Sequence, residues 1–177
     1  IKKISKPINH VLKSNNSYIL LVGKTFGHLE QSCFLKENYS ICDGKPPEVN
    51  LLNEKNNGEA VLELIKKNLV LAVHDVSSGG LIIALSEMSI GSNFGIKISK
   101  PKKLNNLIEY FFGEDQGRYI LEVDKNNYTS IEKLLKSKGI YYENIGKTQE
   151  KYFEIEGEMK LDINVLYDIN NQWYNNF

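Results

Sequence analysis

The sequence predicts a layered domain of the α/β or α+β class, a mixed sheet with helices packed on it. Three observations carry this. Apolar runs of strand length alternate with segments of helical periodicity for most of the chain. Two strand-like runs then come close together near the end. No long linker and no repeat of solenoid period interrupts the order. The 177 residues fit one domain of ordinary size. A chain of this length buries roughly 70% of its unfolded surface, so it needs neither disulfide nor metal to fold.

The elements follow in order. YILLVGK (Tyr18 to Lys24) reads as a buried strand. GHLEQSCFLKE follows, with a short helix near its end. Pro46 and Pro47 stiffen an extended segment. Leu51 to Asn57 then leads into a helix, GEAVLELIKKN, with Ala60, Leu64 and Ile65 on one face. LVLAVHD (Leu69 to Asp75) is a continuous apolar run of the kind found in strands buried on both sides. Gly80 to Ile90 is a helix, Gly95 to Ser99 a short alternating strand, and Leu104 to Phe112 a helix. GRYILEV (Gly117 to Val123) is a strand, and Tyr128 to Ser137 a helix ended by Gly139. Ile140 to Gly146 and Tyr152 to Ile155 read as strands. Leu161 to Trp173 reads as a closing amphipathic helix with Ile163, Leu166, Tyr167 and Trp173 as its apolar positions.

Composition narrows the function classes. Lys plus Arg and Asp plus Glu are 22 each, so the formal net charge is zero. Nucleic-acid partners usually demand a clear basic excess, and none is expected here. The densest basic run, KISKPKK (Lys97 to Lys103), reads as a solvated loop. No apolar stretch approaches the ~20 residues of a transmembrane helix, and the N-terminus lacks the apolar core of a secretory signal. Membrane attachment is not expected, and the expected location is cytoplasmic. Cys33 and Cys42 have no CxxC spacing, so two free thiols are expected and no zinc site. The chain begins with Ile1, so either something was removed or it is a piece of a longer polypeptide.

Two stretches carry candidate chemistry. In VHDVSSGGLIIALSEM (Val73 to Met88) a strand ends at Asp75 and a helix follows a Ser-Ser-Gly-Gly turn. Ligands of open α/β sheets gather where strands end. Ser77 or Ser78 can cap the helix, and Gly79 and Gly80 let another group approach the backbone. The free N–H groups and the helix dipole favour an anion by ~0.3–1 kcal/mol. The same composition also makes a plain strand-to-helix corner, with Asp75 accepting N–H bonds in the turn. His74 is either a proton shuttle or hydrogen-bonded structure. The second stretch, FFGEDQGRY (Phe111 to Tyr119), crowds Glu114, Asp115, Gln116 and Arg118 into one turn. Such groups hold sugar hydroxyls, a cation, or, through Arg118, a carboxylate or phosphate. The alternative is an internal Glu114–Arg118 ion pair that closes the turn.

Taken in order, VGKTFGHLEQSCFL, PPEVNLLNEKNNGEAVLELI, HDVSSGGL (His74 to Leu81), FGEDQGR (Phe112 to Arg118) and IGKT resemble the C-terminal domain of the phosphoribosylformylglycinamidine synthases, large bacterial form (subunit II). That family lies within the aminoimidazole ribonucleotide synthetase superfamily. The resemblance runs from about Tyr18 to the end, and HDVSxGGL and FGExQGR are its most specific pieces.

The resemblance implies a three-layer α/β/α unit. It divides the chain into a lead-in, residues 1–17, and a single C-type domain, residues 18–177. It implies a part in the ATP- and magnesium-dependent conversion of formylglycinamide ribonucleotide to formylglycinamidine ribonucleotide, with ammonia from glutamine. The implied partners are the preceding domains of the same polypeptide and a glutamine amidotransferase, separate or fused. The family's catalytic histidine, ATP contacts and magnesium carboxylates belong to earlier domains, and none of those motifs occurs here. No catalytic residue, metal ligand or bound cofactor is therefore expected in this chain alone. A residual ligand site, if kept, falls on Asp75, Ser77, Gly79, Gly80, Glu114, Gln116 and Arg118. Three positions depart from the family pattern, and the first two favour a structural role instead. Ser78 stands where Asp is usual, Asp115 where Ser is usual, and Glu30 where Gly is common. Asp115 in particular sets a negative charge where a phosphate would be disfavoured. Two rival readings remain: a C-type domain of a related synthetase, and a free-standing ribonucleotide- or phosphate-binding or structural module.

Overall fold

The computed structural model describes residues 7–101 and 106–175, with side chains as far as Gln172 at that end. The elements are β1 (Tyr18–Val22), α1 (Cys33–Tyr39), α2 (Leu51–Lys66), β2 (Ala72–Val76), α3 (Gly80–Ile90), β3 (Gly95–Ile98), α4 (Leu107–Phe112), β4 (Arg118–Val123), α5 (Tyr128–Ser137), β5 (Tyr142–Gln149), β6 (Tyr152–Ile155), β7 (Met159–Asp162) and α6 (Ile163–Asn175). Residues 1–6 of the expected lead-in, Lys102, Lys103, Leu104 and the Trp173 side chain lie outside the described residues.

The seven strands form one mixed sheet in the order β2-β4-β1-β5-β3-β6-β7. Its pairs are antiparallel except β3 with β6. Side chains alternate across it with the period of two that a pleated strand imposes. Along β1, Ile19 and Leu21 join a core with Leu81, Leu85 and Met88 of α3 and Tyr110 and Phe111 of α4. Leu20 and Val22 join the opposite core with Ala60, Val61 and Leu64 of α2 and Ile131 and Leu135 of α5. Helices thus cover both faces, and the fold is the three-layer α/β/α arrangement. Each fully buried Leu or Ile contributes about 1.5–3 kcal/mol, which is why both helical layers hold.

Four expectations change. Helix α2 starts two turns early, because Asn50 caps it by accepting the Asn53 N–H at 3.0 Å. Gly58 is interior to that helix rather than its start, and a Cβ there would lie 3.3 Å from the Tyr119 hydroxyl oxygen. The LVLAVHD run is not a strand buried on both sides. It ends in the outermost strand, β2, whose only strand neighbour among the described residues is β4. The closing helix begins at Ile163, because residues 159–162 pair with β6 as β7. Ile163 and Leu166 pack on the core while Tyr167 stays exposed.

Residues before β1 are stitched into the fold. Leu12 is buried and its N–H bonds the Met88 carbonyl at 3.2 Å. The N–H groups of Lys13 and Ser14 donate to the buried Glu122 carboxylate of β4 at 2.8 and 3.0 Å. Burial lifts the Glu122 carboxyl above its ordinary value of 4.5, and those two donors pull it part of the way back.

Candidate functional site

The sheet register brings the sequence-predicted turns together. Strand β4 runs antiparallel to both β2 and β1. The exit of β2 therefore meets the entry of β4, with Val76 opposite Arg118, and the exit of β1 meets it too, with Val22 opposite Tyr119. The Ser77–Gly80 turn and the Gly23–His28 loop both converge on Gly113–Gly117 for that reason.

Glu114 joins two helix starts. Its Oε1 accepts the Gly79 N–H and the Cys33 N–H, each at 2.8 Å. Gly79 is the N-cap of α3, with φ 81°, and no side chain of its own segment caps it. The expected Ser77 or Ser78 cap is not formed: both serines are exposed, and Ser77 contributes only its carbonyl, to the Gly80 N–H at 3.0 Å. The left-handed backbone at Gly79 turns that N–H toward Glu114, so the carboxylate does what a cap side chain would do. Gly80, at φ 73°, is where the two turns touch. A Cβ there would lie 2.7 Å from the Gly113 oxygen. Partial burial, and then the Glu114 carboxylate, push the Cys33 thiol up, away from a reactive thiolate.

Asp115 turns inward and is 4% exposed. Its Oδ2 accepts the N–H groups of Phe26 and Gly27 at 2.9 and 3.0 Å, and its Oδ1 that of His28 at 3.2 Å. Gly27, at φ 79°, gives the bend that lets successive N–H groups converge. Arg118 lies behind, its side chain 0% exposed, with Nη1 3.8 Å from Asp115 Oδ2. It also donates to the Asp115 and Gly113 carbonyls at 3.2 and 2.6 Å and to Thr25 Oγ1 at 3.2 Å. Burial pulls the guanidinium below its ordinary value and Asp115 opposes the shift. The expected Glu114–Arg118 pair is replaced by an Asp115–Arg118 pair, because Glu114 faces the two helix starts instead.

The remaining predicted residues point elsewhere. The Asp75 side chain is 69% exposed; its Oδ1 lies 3.6 Å from His74 Nδ1, and no turn N–H among the described residues donates to it. His74 bonds Glu87 through Nε2 at 2.9 Å and lies against the His10 ring. Gln116 is exposed and lines a cavity of about 500 Å³ with Phe26, His28, Asn50, Asn53 and Asp115 among the other walls. The structure gathers Glu114, Gly79, Gly80 and Arg118 around the entry of β4. The sequence counts Asp115 among the polar groups of that turn and as a departure from the family pattern, but does not pair it with Phe26–His28. The signal for that loop was Gly27, four residues after Gly23 in a segment too short for another strand.

As a donor set, these residues fit carboxylates already in place. The Gly79 and Cys33 N–H groups point at Glu114, and three more at Asp115. Among the described residues no three His, Cys, Asp or Glu side chains form a metal site. No helix among them is long and apolar enough to cross a membrane.

A three-layer α/β/α domain with its loops gathered at the entry of β4, beside the edge strand, defines a class, and comparison with known proteins gives it a family. Residues 16–157 match the family described as AIR synthase related protein, C-terminal domain, and the chain belongs to it. It is 40% identical over 177 residues to the phosphoribosylformylglycinamidine synthase subunit PurL of Pelagibacter ubique, covering all of this chain and 24% of that protein. The chain thus spans about a quarter of the length of the curated relatives it matches. Solved structures of the Thermotoga maritima protein share the fold over 90% of this chain. They are PurL complexed with FGAR (TM-score 0.72, 16% identity, 29% of that chain), PurL complexed with ATP (0.69, 16%, 27%) and PurLQS (0.67, 18%, 27%).

Proposed function

We propose that this chain is the C-terminal domain of a phosphoribosylformylglycinamidine synthase. In that role it takes part in replacing the amide oxygen of formylglycinamide ribonucleotide by nitrogen, at the expense of ATP and with ammonia from glutamine. The observation that carries this is the 40% identity to the Pelagibacter ubique subunit along the whole chain. The FGAR and ATP complexes of the Thermotoga maritima relative agree with such a substrate and cofactor, and PurLQS agrees with an assembly that includes the amidotransferase. Residues 18–177 form the C-type domain, residues 1–17 lead in from a preceding domain, magnesium accompanies ATP on other domains, and the enzyme works in the cytoplasm.

Within this copy, Glu114 and Arg118, with Gly79 and Gly80, brace the domain rather than touch substrate. Ser77, Asp75 and Gln116 stay free to meet a neighbouring domain or ligand. The internal bonding of both charged side chains supports that division. The test is turnover. The full polypeptide that carries this chain is assayed for ATP-dependent formation of formylglycinamidine ribonucleotide, beside a version lacking residues 18–177. Turnover by the first and none by the second is expected. A full polypeptide that hydrolyses ATP with a different acceptor, or not at all, would overturn the reading.

A further inference from the structure

The loop that holds Asp115 has the make-up of an oxyanion site. Three successive backbone N–H groups, from Phe26, Gly27 and His28, converge on one carboxylate at 2.9–3.2 Å. Such a run of N–H groups around a left-handed glycine forms a concavity that selects anions. The buried Arg118 guanidinium adds a positive charge behind it, 3.8 Å from Asp115 Oδ2. The concavity also has a way in: Phe26, His28, Asp115 and Gln116 share the wall of the 500 Å³ cavity. All the features of a ligand site are present, and the ligand is the chain's own side chain.

We infer that the Phe26–His28 loop is an oxyanion-binding site occupied in cis by Asp115, and that it takes a free small carboxylate once that side chain is removed. The tether explains the choice of residue. An anion attached to the chain loses little freedom when it binds, whereas a free one must be captured from solution. The domain therefore carries its own anion at this position and does not depend on a diffusible one. Native protein should ignore small anions here.

The experiment uses the full polypeptide with Asp115→Gly and, in case that variant does not fold, Asp115→Ser. Thermal unfolding is followed while formate, which reproduces the missing carboxylate, is titrated against an equal concentration of chloride. For either folded variant the midpoint of the transition that includes this domain is expected to rise saturably with formate, as ligand linkage requires, and not with chloride. The wild-type midpoint is expected to show no saturable rise. Hydrogen exchange gives an independent reading of the peptide that spans Phe26–His28. Formate should restore its protection in the variants, and neither formate nor inorganic phosphate should alter it in the wild type. A folded variant no more responsive to formate than the wild type would overturn the inference. So would wild-type amides at Phe26–His28 that gain protection with either anion.

Discussion

Two buried carboxylates bracket strand β4, and they are held differently. Asp115, three residues before its first, has three N–H donors and a buried guanidinium at 3.8 Å. Glu122, near its last, is 0% exposed and has the Lys13 and Ser14 N–H groups and the more distant Ser14 hydroxyl at 3.4 Å. Among the described residues no Lys, Arg or His lies within ion-pair distance of Glu122. The difference is a cation. Arg118 offsets the cost of burying Asp115, whereas Glu122 bears its own, and its carboxyl is lifted above 4.5 as a result. One end of β4 fastens the Phe26–His28 loop, and the other ties down the residues before β1.

The comparison breaks most sharply at Gly80→Asp. A Cβ there meets the Gly113 and Phe111 oxygens at 2.7 and 2.8 Å, on a backbone at φ 73°, and the new carboxylate would face those carbonyls. We expect a loss of about 4 kcal/mol or more, seen as failure to accumulate folded protein. Glu114→Ala comes next. It strands the Gly79 and Cys33 N–H groups and should cost about 1–3 kcal/mol in a denaturant titration. A neutral outcome would mean water replaces the carboxylate without penalty.

Glu122→Gln sharpens the contrast by pH. With the folded value above 4.5, the folded chain holds this proton more tightly than the unfolded chain. The penalty is absent below 4.5 and complete above the folded value. Wild type should therefore lose stability relative to Glu122→Gln as pH rises through that window. A difference that stays flat with pH would show that burial does not perturb this carboxyl. The smallest effect belongs to Gln116→Ala. Its exposed side chain should leave the unfolding midpoint within about 0.5 kcal/mol of wild type, so any loss of turnover it causes reports a contact beyond this domain.

Much of the fold was legible because periodicity and punctuation agree locally. Residues 80–90 and 128–137 form helices as expected, the second closed by Gly139. Strand order was not legible, since it depends on contacts distant in sequence. That is also why LVLAVHD reads as a central strand yet leads into an edge one. The Met159–Asp162 strand was hidden because Leu161 fits a helical stripe as well as an alternating one, although Gly157 just before it marked a hairpin turn. The candidate site was half legible. The glycines and Glu114 announced a place where something negative meets helix starts, but the negative group proved to be in the same chain. Asp115 was the hardest to read. A carboxylate in a polar turn looks solvated until the register of β1 against β4 brings Phe26–His28 onto it.

The central claim is that the charged groups of the Glu114–Arg118 turn serve the fold. Arg118→Ala tests it most directly, with unfolding and steady-state turnover measured on the same preparation of the full polypeptide. Removing the guanidinium leaves Asp115 buried without its cation, so stability should fall by about 3–5 kcal/mol while turnover per folded molecule stays at the wild-type value. Unchanged stability with lost turnover would contradict the account and return Arg118 to a ligand-binding role.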